Sequence, residues 1–112
     1  MFINIVLNIT EVPATFTKAL ADKYFNEKDT LTIKCELTKP NVQVYWQKDG
    51  QDIISGSRVQ ISSNTCLHKL EIADVTMDDV GTYTCVCGEE KTECNITVKG
   101  KHCYIICIIL NI

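Results

Sequence analysis

Seven cysteines and two histidines are the residues of this 112-residue chain with the widest chemical reach. Thiols and imidazoles can hold zinc, form a nucleophile–base pair or, for two thiols, oxidise to a disulfide. Structural zinc sites draw on closely spaced ligand pairs, and no Cys-x-x-Cys occurs, so Cys87, Cys94 and His68 are not expected to bind metal. A nucleophilic cysteine needs an exposed thiol of low pKa with a base beside it. Cys35 and Cys85 instead stand at buried positions of apolar alternation, and His68 reads as a strand residue. Asp78-Asp79 and Glu89-Glu90-Lys91 have the character of solvated turns. Asn8-Ile9-Thr10 and Asn95-Ile96-Thr97 match the glycosylation acceptor pattern; with no basic, signal-like head before them they read as chance matches. There is no nucleotide-binding loop and no acid–base pair. The expectation is a non-enzymatic chain with no cofactor, no metal and no small-molecule substrate.

Charge narrows the partners. Eleven Lys/Arg against 14 Asp/Glu give −3, and Arg58 is the single arginine. With a pI near 5.3, neither nucleic acid nor an anionic membrane is an expected partner. A composition 46% hydrophobic and 22% charged is that of one globular domain. Charge is also unevenly placed: residues 11–100 carry 24 of the 25 charged side chains, whereas eight of the 14 isoleucines lie in the 22 flanking residues. The head, Met1–Thr10, lacks the basic region of a secretory signal. The tail holds an apolar run of eight residues, Cys103–Leu110, when a membrane span needs roughly 20. Lys99-Gly100-Lys101 can be encoded with a splice-donor sequence and Thr10-Glu11 with an acceptor, which suits intron read in frame on both sides of one exon. Genuine frayed termini and a truncated membrane or targeting segment are the alternatives. The expected organisation is a non-domain flank at 1–10, a domain at 11–100 and a non-domain apolar tail at 101–112.

The central block alternates. Leu31, Ile33 and Cys35 are separated by Thr32 and Lys34; Val42, Val44 and Trp46 repeat the pattern, as do Val59 with Ile61 and Leu70 with Ile72. Tyr83, Cys85 and Cys87, then Cys94, Ile96 and Val98, complete it. Turn residues separate these sets at Lys39-Pro40-Asn41, Asp49-Gly50, Ser55-Gly56-Ser57, Asp78–Gly81 and Gly88–Lys91. Period-two alternation buries one face of each strand. Six to eight short strands without a helix imply two packed antiparallel sheets.

Three spacings refine that architecture. Trp46 follows Cys35 by 11 residues and Cys85 follows it by 50, the Cys…Trp…Cys order of an immunoglobulin sandwich. Tyr83 precedes Cys85 by two, as a tyrosine corner requires. Arg58 opens a strand and is placed to pair with Asp79 through its planar fork. Cys35, Trp46, Leu70, Tyr83 and Cys85 are the expected structural core, with Arg58 and Asp79 the structural ion pair.

Residues 11–99 resemble I-set immunoglobulin domains of the giant intracellular muscle proteins, titin and obscurin, with obscurin the nearest. The resemblance is carried by Pro13–Lys18, Leu31–Leu37, Val44–Gly50, Cys66–Ile72 and Asp79–Gly88. His68 two residues before Leu70, and the Cys85-Val-Cys-Gly88 ending, favour sarcomeric over cell-surface relatives. Val80, where the family commonly has alanine, is a departure. The resemblance implies that Cys35 and Cys85 face each other across the core. A disulfide there would stabilise by about 4 kcal/mol on a chain-entropy model, whereas a cytosolic protein would keep both as small buried thiols. Cys87 and Cys94 have inward parity and are expected to fill core positions. The implied role is a module of a cytoplasmic sarcomeric scaffold that binds other proteins and neighbouring immunoglobulin domains. An extracellular adhesion or receptor domain is the alternative.

Overall fold

The computed structural model describes residues 13–100, and the expectations for residues 1–10 and 101–112 lie outside the described residues. Nine strands form: β1 (Phe16–Lys18), β2 (Lys23–Asn26), β3 (Leu31–Leu37), β4 (Tyr45–Lys48), β5 (Gln51–Asp52), β6 (Val59–Asn64), β7 (Leu67–Ile72), β8 (Gly81–Cys87) and β9 (Glu90–Lys99). A single 3-10 turn, Met77–Asp79, precedes β8. One sheet has the order β1-β3-β7-β6 and the other β2-β9-β8-β4-β5. This is the immunoglobulin-like sandwich that the cysteine and tryptophan spacing predicts.

Alternation decides which side chains enter the core. In β3 the buried set is Leu31, Ile33, Cys35 and Leu37, with Thr32, Lys34 and Glu36 on the other face. β7 contributes His68, Leu70 and Ile72, β8 Tyr83, Cys85 and Cys87, and β9 Cys94, Ile96 and Val98. The two inner faces meet in one cluster that also takes Leu20, Trp46 and Val75. Burial on both inner faces is what fixes strand register, because a one-residue slip would turn every apolar side chain outward.

The sandwich has nine described strands where six to eight were expected, because β2 and β5 are short edge strands, and it differs from the expectation in two further places. Val42 and Val44 do not extend the strand of Trp46: β4 begins at Tyr45, opposite Val86. Continuing that register would set Val42–Val44 against Cys87, Gly88 and Glu89, where β8 ends and turns back into β9. No straight neighbour remains to pair with them. The second sheet is also mixed rather than wholly antiparallel. The chain leaves β1, crosses between the sheets, and β2 joins the outer edge of β9 in parallel, from Lys23↔Ile96 to Asn26↔Lys99. Leu20 anchors the crossing: it is buried, and its N–H donates to Thr92 Oγ1 at 3.1 Å.

Entry and exit lie at opposite ends. Pro13 and Ala14 share a depression with Cys87–Glu90 at the β8–β9 turn, while Gly100 follows the far end of β9. A strand of ten residues spans about 33 Å, so the described chain enters at one pole and leaves at the other.

Candidate functional site

The centre of the molecule is a three-residue pin between the sheets. Trp46 on β4 pairs in register with Cys85 on β8, and Cys35 projects from β3 in the opposite sheet. All three are at most 2% exposed. Both cysteines are free thiols, and a thiol–thiol hydrogen bond couples their titration. That bond, together with burial, holds the Cys85 thiol far above the ordinary range. The same contact lowers the Cys35 thiol, with burial opposing. Burial of both sulfurs among apolar side chains disfavours any charge on the pair.

A second constellation locks the pole from which β8 starts. The buried Tyr83 hydroxyl donates to the Asp79 carbonyl at 2.6 Å, four residues upstream. Arg58 Nη2 reaches both Asp79 carboxylate oxygens, at 3.0 and 3.2 Å. Asp79 Oδ2 also accepts from the Thr76 N–H at 2.8 Å, and the Asp78 N–H donates to Thr76 Oγ1. This reciprocal capping box satisfies donors at the start of the 3-10 turn. Asp79 therefore joins the segment that leads into β6, the 3-10 turn and, through its backbone carbonyl, the tyrosine corner. Burial, aided by the nearby Asp79 charge, pushes the Tyr83 phenol far up, so it stays a donor.

The same pole contains a close approach. An Asp49-Gly50 turn, with φ of 50° and 84°, joins β4 to β5. Its Asp49 carboxylate lies over Gly81 and accepts from the Thr82 N–H at 3.0 Å. A Cβ on Gly81 would sit 2.6 Å from Asp49 Oδ2, so a side chain here would displace the carboxylate from the Thr82 N–H.

Cys94 and Cys87 are packing groups. Cys94 is buried in the core, and burial reinforced by Asp22 raises its pKa to about 11. Burial, then Glu90, raises Cys87. His68 is 3% exposed, faces inward beside Cys35 in register, and burial alone lowers its pKa. Among the described residues no group of three or more His, Cys, Asp or Glu is arranged to hold a metal ion.

A profile of the immunoglobulin I-set domain matches residues 14–99. The chain belongs to the immunoglobulin I-set family. It is similar to human cardiac-type myosin-binding protein C, 35% identical over 82 residues that make up 73% of this chain and 6% of that protein. Titin of Drosophila melanogaster is 36% identical over 84 residues, 74% of this chain and a share of titin that rounds to 0%. Among solved structures, domain I10 of titin superposes with a TM-score of 0.76 at 28% identity, covering 79% of this chain and all of that domain. The titin I9–I11 tandem matches with a TM-score of 0.78, also at 28% identity, over 80% of this chain and 34% of the tandem. The chain thus spans a small fraction of the length of its curated relatives. These relatives support the titin-like placement and do not single out obscurin. An immunoglobulin I-set domain is not an enzyme.

The structure brings Cys35, Trp46 and Cys85 together at the centre, and Arg58, Asp79 and Tyr83 at one pole. Leu70 joins the first group through the inner face of β7. Two partners were missed in the sequence. Thr76-x-x-Asp79 is a legible capping-box pattern, whereas the contact of Asp49 with Gly81 spans 32 residues and has no local signature.

Proposed function

We propose that this I-set domain is one module of an intracellular sarcomeric scaffold, contributing length along a string of domains and surfaces for protein binding. The observation that carries the reading is the match, over 82 and 84 residues, to two muscle proteins, myosin-binding protein C and titin. The geometry suits it. Poles at opposite ends allow head-to-tail stacking, as in the solved I9–I11 tandem, and each copy adds the length of β9. In a reducing compartment Cys35 and Cys85 would stay small buried thiols, and the sandwich would rely on Trp46 packing rather than on a disulfide. Binding would involve other proteins and neighbouring immunoglobulin domains, with no nucleic acid, membrane or small molecule.

One observation favours a second reading. Asn95 of the Asn-Ile-Thr triplet is exposed on β9, where a secreted adhesion or receptor domain would accept a glycan. An antibody against the sandwich separates the two. Labelling of permeabilised muscle fibres in bands that repeat with the sarcomere is the expected result. Surface labelling of intact cells, with a mass increment on Asn95, would overturn the scaffold assignment.

A further inference from the structure

The four edges of the two sheets are not equally protected. β1 is three residues long and carries Lys18; β2 carries Lys23; β5 has two residues, one of them Asp52. Charge and shortness are the usual means by which an edge refuses further strands. β6, with the sequence Val-Gln-Ile-Ser-Ser-Asn, has six residues, no charge and no proline. It is the longest edge strand among the described residues.

Its free side can be read from the register. The Ala73 N–H donates to the Arg58 carbonyl, so ladder bonds to β7 fall on the even-numbered residues of β6. The N–H and C=O groups of Ile61 and Ser63 then point away from β7. None of the four has a backbone or side-chain partner among the described residues. Beside them runs a groove in two connected parts, of about 450 and 190 Å³, between β6 and the segment that fails to continue β4. Val42, Val44, Ile53 and Ile61 supply its apolar lining. Trp46 and His68 stand behind that lining, with their Nε1 and Nε2 atoms buried and without partners.

We infer that this groove receives an extended peptide segment of another protein, added as a strand to the free edge of β6. An added strand satisfies the free groups of Ile61 and Ser63, as in other β-augmentation complexes. Aliphatic side chains at alternate positions of the peptide would fill the lining between Val44 and Ile61, with polar residues facing water. A second copy of this chain is the poorer occupant, because the inward side chains of its own β6, Val59 and Ile61, are already packed against its own core. The inference rests on reading the domain as a protein-binding module and names the edge and the class of partner.

The test is selection of a displayed library of random 12-residue peptides on the full chain, followed by NMR titration with the selected peptides. Peptides with alternating aliphatic residues are expected, shifting the Ile61 and Ser63 amides and the Trp46 indole N–H together. Ser63→Pro removes one outward N–H without a ladder bond and should weaken binding at least tenfold. Ser63→Lys, an exposed change that leaves the fold intact, should do the same by charging the edge. Selected peptides that shift β1, β2 or β5 instead would overturn the inference and leave the protein-binding reading standing. Recovery of no binding peptide, equal affinity of both variants, or self-association that covers Ile61 would also overturn it.

Discussion

Burial, rather than residue type, sets the chemistry of the thiols and of His68. Cys35, Cys85, Cys87 and Cys94 are each no more than 7% exposed, whereas Cys66 is only partly covered. Alkylation of the folded protein near pH 7.5, mapped by peptide mass, should therefore label Cys66 well before those four; unfolding in urea should release all of them together. Equal native labelling of Cys94 and Cys66 would contradict the packing described here. His68 gives a separate signature. Its pKa is lowered in the fold by burial, so above the ordinary value of 6.5 both states are neutral and it contributes no pH dependence. Below that value the unfolded chain binds the proton first, and stability falls with pH until the folded imidazole also titrates. Between pH 7 and 5 the parent should lose more urea stability than His68→Phe; identical slopes would show that His68 is not desolvated.

At the level of elements, the pole around Asp79 joins three segments that are distant in sequence. Tyr83→Phe deletes one buried hydrogen bond and should cost about 1–1.5 kcal/mol. Asp79→Ala removes the carboxylate that meets both Arg58 and the Thr76 N–H, and should cost more, about 2–3 kcal/mol. Equilibrium urea unfolding measures both, and a larger loss in Tyr83→Phe than in Asp79→Ala would mean the carboxylate is not the joint. The strand set itself was legible, because alternation and turn residues are local. The crossing of the chain between β1 and β2, and the parallel pairing of β2 with β9, were not. Residues 19–22 carry no pattern that says which sheet the next strand joins.

For the whole molecule, Trp46 is the largest side chain of the central cluster and touches both sheets. Trp46→Ala should cost about 3–5 kcal/mol, comparable to the entire stability of a small domain; a loss under 1 kcal/mol would show that the sheets do not depend on it. Residues 13–100 supply every strand of both described sheets. A chain limited to residues 11–100 is therefore expected to keep the urea midpoint of the full chain to within about 1 kcal/mol equivalent. A larger fall would place part of the stability beyond that boundary.

The order Cys35, Trp46, Cys85, with Tyr83 two residues before the second cysteine, was enough to name a two-sheet sandwich, because those spacings follow from strand length and from which face must be buried. The same local logic put Arg58 and Asp79 at opposite ends of one predicted contact. Tertiary structure alone decided what lies between distant segments. β8 turns at Gly88 and so leaves Val42–Val44 without a neighbour. Asp49 comes to rest over Gly81. His68, which its sequence neighbours place only on a strand, is turned into the core without a hydrogen-bond partner for its Nε2. The groove beside β6 arises from these events together. It lies where one strand stops and another has no partner, and such a gap is a relation between elements that no single stretch of residues encodes.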